Sequence, residues 1–181
     1  MMIVPVEVFN AYSGNYEDSP ESVEMKKTFL LSAEEIVSSY LAYHPEEKLY
    51  ADVTLTGMGK NYVLLPARPI KELLEITVDG VEIRSDEVLL IDDRIRFKKR
   101  SRIFKKESEI AVSYKGGWNQ DDMPAVIKLS IMRIATLMLS ETGGNISLTG
   151  KSFADNSRTF INYSNYKKYL EPLDGLRIVR F

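Results

Sequence analysis

Residues that could carry chemistry are few in this 181-residue chain. Because the chain has no cysteine, a disulfide framework, a thiolate nucleophile and a cysteine-ligated metal cluster are all excluded. The single histidine, His44, rules out a multi-histidine metal site. His44 could pair with Glu46 or Glu47 for acid–base work, yet no serine or cysteine nucleophile motif accompanies it. We therefore interpret His44 as a solvent-exposed histidine at a helix end.

The segment Gly150-Lys151-Ser152 ends like a phosphate-binding loop. That motif needs another glycine five residues before Gly150, where this chain has Asn145. It also needs a strand in front of it, where the hydrophobic pattern of this chain predicts a helix. We therefore interpret the segment as an ordinary loop.

Two acidic doublets, Asp92-Asp93 and Asp121-Asp122, are the remaining candidates for carboxylate chemistry. Adjacent residues of a strand point to opposite faces, so neither doublet is a ready-made catalytic pair. Neither has the spacing of an EF-hand calcium loop. Turn and helix-cap roles explain both doublets, and the sequence therefore predicts no catalytic residue, no metal site and no cofactor.

The strongest local charge signal lies between residues 98 and 106. The whole chain has a net charge of −2, so it is not built throughout as a nucleic-acid binder. A local basic cluster can contact phosphates or an acidic protein surface, although many such clusters are solvated hairpin tips. We predict a contact with either an acidic protein or DNA. The predicted basic contact patch consists of Lys98, Lys99, Arg100, Arg102, Lys105 and Lys106.

Aromatic and basic residues crowd the C-terminal region. Tyrosine and arginine are typical of protein interfaces, and core packing is the competing interpretation of the aromatic residues. The last six residues interleave apolar and basic side chains, as expected for an arm laid on a partner. The predicted partner interface consists of Tyr166, Tyr169, Leu176, Arg177, Ile178, Arg180 and Phe181.

The first element that must position these groups is a helix near residues 21–43. Ser19 is suited to cap it, and Pro20 is suited to its first position. Apolar residues recur there at spacings of three and four and form one face. We expect the helix to end at His44-Pro45, because the residue before a proline avoids the helical conformation.

Two more helices are predicted in the second half of the chain. The segment 124–141 is apolar nearly all round, so it must be buried on most sides. Gly143-Gly144 is expected to end it, and residues 145–162 look irregular. A short aromatic helix is predicted near residues 164–171, before the tail.

Between about Tyr50 and Tyr114 the apolar period changes to two. Asp79-Gly80 predicts a hairpin, with Ile76, Val78, Val81 and Ile83 on one face. A second hairpin is predicted between Val88 and Phe97, turning at Asp92-Asp93. In all we expect five to seven short antiparallel strands, arranged as a small sandwich or open barrel.

The segment before the first helix has an alternating pattern of its own. Val4, Val6 and Val8 alternate with polar or proline positions, which predicts a short strand or an extended arm. Residues 11–20 have the composition of a loop.

The predicted fold class is α+β, with a helical frame and an inserted antiparallel β module. We expect residues 1–48 and 116–181 to form a helical domain with a C-terminal tail, and residues 49–115 to form the inserted module. The N-terminus lacks the pattern of a signal peptide, and no apolar stretch has the length of a membrane span. We therefore expect no membrane association.

The order of these features resembles the head–tail connector, or neck adaptor, family of tailed bacteriophages. The first helix ends in Tyr40-Leu41-Ala42-Tyr43, and Leu65-Pro66-Ala67-Arg68-Pro69-Ile70 leads into the Val78-Asp79-Gly80 hairpin. The strand and turn Val112-Ser113-Tyr114-Lys115-Gly116-Gly117-Trp118 follow, and Pro124 opens the second long helix. The resemblance covers about residues 21–145, and the β insert is like that of the longer members.

The resemblance implies a non-catalytic virion protein of the phage neck, synthesised in the bacterial host cytoplasm. It implies a homo-oligomeric ring, twelvefold, that joins the portal protein to the next neck or tail protein around the DNA channel. Under this interpretation residues 98–106 face an acidic partner or the DNA. One alternative is a non-catalytic β binding module of a phage tail or cell-surface protein, and another is a carboxylate hydrolase.

Overall fold

The computed structural model describes residues 2–91, 93–141 and 163–178. It has the predicted α+β fold class, with helices and antiparallel sheets. The chain divides into two compact units: Met1–Ala42 with Pro124–Phe181 form unit 1, and Tyr43–Met123 form unit 2. That the helical frame and the β module are separate domains stays a prediction.

Unit 1 begins with a helix where the sequence predicted a strand or an arm. Helix α1 (Val6–Ser13) follows Pro5, whose carbonyl accepts the first helical hydrogen bond from Phe9, at 3.1 Å. Val6 and Phe9 are buried and Val8 is 49% exposed, so the segment has a helical period. The alternation of three valines was too short to determine the period, and that expectation was wrong.

Helix α2 (Pro20–Leu41) has the predicted start. Ser19 Oγ accepts a hydrogen bond from the Ser22 amide at 3.2 Å, and Pro20 occupies the first helical position. The helix ends earlier than predicted, because Ala42 adopts the left-handed conformation (φ 65°) before His44-Pro45 is reached. A left-handed residue after the last turn is a common helix end, although glycine is the usual residue there.

Two buried charged side chains hold the N-terminal segment onto α2. The Lys26 amino group donates to Asn10 Oδ1 (2.8 Å) and to the carbonyls of Asn15 (2.9 Å) and Glu17 (2.8 Å). Glu34 Oε1 accepts a hydrogen bond from the Ile3 amide at 2.6 Å. Buried charged groups must be hydrogen-bonded in this way to offset their loss of hydration.

Helix α3 (Ala125–Glu141) lies at the centre of unit 1 and packs against α1, α2 and α4 (Tyr163–Leu170). This confirms the two helices predicted in the second half of the chain. A 3-10 turn, Glu171–Leu176, follows α4. Most of the core comes from one side of each helix. The fully buried apolar residues of unit 1 include Phe9, Leu30, Ala33, Val37, Leu41, Ile127, Ile131, Ile134, Ala135, Leu170 and Leu173. The predicted helix end at Gly143-Gly144 and the irregular segment 145–162 lie outside the described residues.

Unit 2 contains two antiparallel sheets. The strands are β1 (Lys48–Thr56), β2 (Tyr62–Leu64), β3 (Ile70–Val78), β4 (Val81–Glu82), β5 (Val88–Ile91), β6 (Arg94–Phe97) and β7 (Glu109–Gly116). One sheet has the order β1-β7-β3-β4 and the other has the order β2-β6-β5. Among the described residues this makes seven strands, within the predicted range.

Strand β7 is the centre of the larger sheet and carries the clearest alternation. Ile110, Val112 and Tyr114 are at most 1% exposed, as their spacing predicted. The Tyr114 ring stacks on the Tyr50 ring of β1, with centroids 4.8 Å apart. Burial of each such side chain contributes roughly 1.5–3 kcal/mol to stability.

Both predicted hairpins are present. Asp79 (φ 51°) and Gly80 (φ 75°) are both left-handed, as a two-residue turn of this type requires. Val78 pairs with Val81 in register, but Val81 is 65% exposed because the hairpin tip extends beyond the core. In the second hairpin Ile91 pairs with Arg94.

Candidate functional site

The predicted basic patch lies in the connection between β6 and β7. Five of its six basic side chains are exposed, and Arg102 is half-buried. The loop also exposes an apolar side chain, because Ile103 is 48% exposed. The structure therefore brings all six predicted residues into one connection and leaves them accessible.

Phe104 anchors this loop to unit 2. Its side chain is fully buried, and its ring lies 4.3 Å from the ring of Phe97 at the end of β6. The Arg102 guanidinium covers the Phe97 ring at 4.6 Å and donates to Glu87 Oε1 at 2.7 Å. A cation held over an aromatic face and paired with a carboxylate is fixed in direction. Arg102 thus acts partly as a support for the loop.

Backbone hydrogen bonds hold the loop against residues 57–60. The Phe104 amide donates to the Lys60 carbonyl (2.8 Å), and the Phe104 carbonyl accepts from the Gly59 amide (2.9 Å). The Glu107 amide donates to the Gly57 carbonyl at 2.9 Å. A Cβ at position 57 would collide with the Lys105 carbonyl oxygen and with the Ser108 side chain. The basic patch is therefore a fixed surface that needs glycine beneath it, and the adjacent Met58 is 65% exposed.

The outer face of the three-stranded sheet continues this surface. Arg96 of β6 lies between Tyr62 of β2 and Leu89 of β5 in the register of the sheet. The Lys60 amino group and the Arg94 guanidinium both lie over the Tyr62 ring, at 5.3 Å and 5.4 Å from its centroid. Arginine beside tyrosine and half-exposed leucine is a composition typical of protein interfaces. Sequence reasoning missed this extension, since it depends on the strand register.

The predicted C-terminal interface is divided between core and surface. Tyr166 and Ile178 are 3% and 5% exposed, and the Ile178 amide donates to the Leu41 carbonyl at 3.0 Å. Tyr169 and Leu176 are half-buried, and Arg177 is exposed. Arg180 and Phe181 lie outside the described residues. In unit 1 the side chains of Tyr166 and Ile178 pack inside the helical frame, and a contact of this region with a partner stays a prediction.

Arg177 lies beside a shallow groove in unit 1. Its guanidinium covers the Tyr40 ring at 5.1 Å, and the Tyr40 hydroxyl donates to Asp174 Oδ1. Glu35 and Ser39 of α2 line the other side of the groove, whose volume is about 360 Å³. These contacts hold the Arg177 side chain against α2, so residues of unit 1 determine its orientation.

A further exposed surface was not predicted and lies along α2. Glu21, Glu24, Thr28, Leu31 and Glu35 follow one another at spacings of three and four, and all five are exposed. Lys27 is the nearby cation and pairs with Glu24 at 3.6 Å. The sequence shows this spacing, but the prediction for this helix considered only its apolar face. The outcome is an acidic stripe on the outside of α2.

His44 is half-buried, so its predicted exposure was wrong. Burial and, next, the charge of Lys48 lower the pKa of His44, against the opposing effect of Glu46. Its Nδ1 is buried without a hydrogen-bond partner among the described residues. The neighbouring Tyr43 has its pKa raised to about 12, chiefly by burial. This environment keeps both groups neutral near pH 7.

Where they are described, the acidic doublets lie in turns, as predicted, and a helix-cap role for Asp121-Asp122 stays a prediction. Asn119 Oδ1 accepts the amides of Asp121 (3.0 Å) and Asp122 (2.8 Å) just before α3. Lys71 pairs with Asp122 at 3.0 Å and lowers the pKa of that carboxyl. Asp92 and Gly150-Lys151-Ser152 lie outside the described residues. Within the described ranges, no three acidic or histidine side chains are grouped so as to hold a metal ion.

Three of the motifs that carried the family resemblance lie in unit 2, at residues 65–70, 78–80 and 112–118. The Trp118 amide donates to the Pro45 carbonyl at 2.8 Å, and the Gly117 amide donates to the Pro69 carbonyl at 2.9 Å. Gly117 has φ 105° and lies against the Glu46 backbone with no room for a Cβ. These contacts join two of the motifs, through Pro69 and Gly117, within unit 2. None of the described helices is long and apolar enough to cross a membrane.

Comparison with known proteins gives similarity at the level of structure. No protein-family model and no curated protein matches the sequence. A chain in the neck of an empty GTA particle, computed with C6 symmetry, matches with a TM-score of 0.61 and 15% identity. That match covers 99% of this chain and 91% of the other.

Two further structures give the same result. A chain of the virion of a native gene transfer agent (GTA) particle has a TM-score of 0.63 and 13% identity, over 99% of this chain and 91% of that one. A chain in the neck of a native GTA particle, computed with C12 symmetry, has a TM-score of 0.54 and 12% identity, over 95% and 89%. At these identities the comparisons establish a shared fold, and this fold occurs in chains of GTA particle necks and of a GTA virion.

Proposed function

We propose that this chain is a structural protein of a phage-type neck, which forms a ring between the portal and the next neck or tail protein around the DNA channel. The observation that carries the proposal is the fold shared with neck chains over almost the whole length of both proteins. The match includes both units. If the two proteins shared only one common module, the match would cover only part of this chain. The proposal includes no catalytic step.

The surface of the chain supports assembly. A closed ring uses two different surfaces of each subunit, one for each neighbour. The described residues offer distinct surfaces of this kind: the basic patch of residues 98–106 in unit 2, and the outer face of α2 in unit 1. Virion location, portal contact and a twelvefold ring are parts of the same proposal.

The alternative of a sugar-binding or protein-binding β module has less support. It requires a groove lined by exposed aromatic residues. The aromatic residues described in unit 2 are all at least half-buried. Four are buried (Tyr43, Phe97, Phe104 and Tyr114) and three are half-buried (Tyr50, Tyr62 and Trp118). Aromatic side chains with these positions mainly build the core of the module.

Native mass spectrometry of the purified chain, alone and mixed with a portal ring, tests the proposal. We expect a closed species of about a dozen subunits, either in solution or bound to the portal. A second sample with bovine albumin in place of the portal controls for non-specific association. A chain that stays monomeric in solution and does not bind the portal would contradict the proposed function.

A further inference from the structure

We infer that the basic patch of residues 98–106 docks on the acidic stripe of α2 in a second copy of this chain. The inference rests on the proposed ring, and it names the two surfaces that form the contact between neighbouring subunits. It assigns to the basic patch a protein partner rather than DNA.

The basic side of the contact has charge, apolar area and rigidity. Lys98, Lys99 and Arg100 are exposed and form no ion pair with a carboxylate of the described residues, whereas Arg102 is held by Glu87. Two strongly exposed apolar side chains, Ile103 and Met58, accompany them. A surface already fixed by backbone hydrogen bonds loses little conformational entropy when it binds.

The acidic side of the contact has matching properties. Glu21, Glu24 and Glu35 lie along the exposed face of α2, and Leu31 between them is 52% exposed. Glu17 and Asp18 extend the negative charge beyond the start of the helix, and both are exposed. The stripe thus has carboxylates on either side of an apolar residue, as the patch has ammonium groups beside Ile103.

Charge segregation within the chain favours a second copy as the occupant. Residues 1–42 contain seven acidic residues, of which Glu34 is buried, and two basic residues, of which Lys26 is buried. All the charged residues between 98 and 106 are basic. Opposite charges on two different surfaces give a head-to-tail contact, which is the kind that closes into a ring. The exposed Ile103 and Met58 favour a protein partner, since a phosphate backbone offers them no apolar surface.

Zero-length carbodiimide cross-linking of an equal mixture of ¹⁴N- and ¹⁵N-labelled full chains tests this contact directly. The reagent joins a lysine amine to a carboxylate that touches it, and a mixed-isotope pair identifies a link between two copies. We expect mixed-isotope links from Lys98, Lys99, Lys105 or Lys106 to Glu17, Asp18, Glu21 or Glu24. Links that join only peptides of the same isotope, or mixed links that avoid these segments, would overturn the inference.

Charge reversal gives a second test that does not depend on the reagent. The variant K98E/K99E and the variant E21K/E24K should each weaken self-association about a hundredfold, because like charges then face each other. The chain that carries all four substitutions should regain association, since both surfaces are reversed together. Arg84→Glu, at an exposed site outside both surfaces, is the matched control and should associate normally.

The outcomes separate this inference from the proposed function. If the wild-type chain forms rings and the reversals leave them intact, the inference is wrong and the proposed ring stands. If K98E/K99E abolishes binding of a 30-base-pair duplex at physiological salt while ring formation is unchanged, the patch belongs to DNA. If wild type neither associates nor binds the portal, both the inference and the proposed function fail.

Discussion

At the scale of single residues, the fold depends on a few residues in unusual environments. Lys26 is a fully buried cation held by three neutral oxygens, and His44 is a half-buried base whose pKa is lowered. Gly57 lies under the basic patch with no room for a side chain. None of these environments follows from residue type, because each depends on atoms that are distant in sequence.

His44 should make stability depend on pH below its ordinary pKa of about 6.5, because the pKa is lowered in the folded chain. Its folded-state pKa lies below the unfolded value, so the unfolded chain binds the proton more readily. The contribution of neutral His44 to the free energy of unfolding is therefore fully present above the unfolded-state pKa. It is lost as the pH falls through the folded-state pKa. Urea unfolding at several pH values measures this, and His44→Gln should remove that part of the slope. Because the chain has one histidine, an equal slope in wild type and variant would contradict the assignment.

Gly57→Ala should displace the basic loop and lower stability by about 1–3 kcal/mol, since the new methyl group collides with the Lys105 carbonyl oxygen. Gly175→Ala is the matched control, because a Cβ there meets no atom within 4 Å. Thermal unfolding gives the stability of both variants. A Gly57→Ala chain as stable as Gly175→Ala would show that the loop is not fixed as described.

At the scale of elements, the sequence predicted most of what local rules determine. The cap at Ser19, the turn at Asp79-Gly80 and the alternation of β7 were all readable, because each depends on neighbours in the chain. The N-terminal helix α1 was missed because three alternating valines fit a strand as well as one turn of a helix. The acidic stripe of α2 was not predicted, because the apolar spacing that predicts a helix identifies its buried face and not the charges on its exposed face.

The connection between α1 and α2 yields an element-scale prediction. Lys26→Met should cost about 2–4 kcal/mol, because three buried oxygens lose their hydrogen-bond donor when the amino group is removed. Lys27→Met, at the neighbouring position, where the side chain is only half-buried, should change stability by less than about 0.5 kcal/mol. Urea denaturation of both variants decides the matter, and equal midpoints would mean that Lys26 does not hold the connection.

At the scale of the whole molecule, the hydrophobic periodicity predicted a helical frame and β strands, and the structure has both in two compact units. The candidate site was predicted less completely than the fold. The basic patch is exposed as expected, but Tyr166 and Ile178 of the predicted C-terminal interface are buried within unit 1. Aromatic residues serve cores and interfaces alike, and sequence patterns do not distinguish the two uses.

The central claim is that this chain forms a closed ring that surrounds DNA in a neck. Electron microscopy of the chain assembled on a portal ring tests it most directly, through end-on class averages. We predict a closed ring of about twelve subunits with a central opening wide enough for duplex DNA. Averages that show an open filament, a solid particle or a portal without added density would contradict the claim.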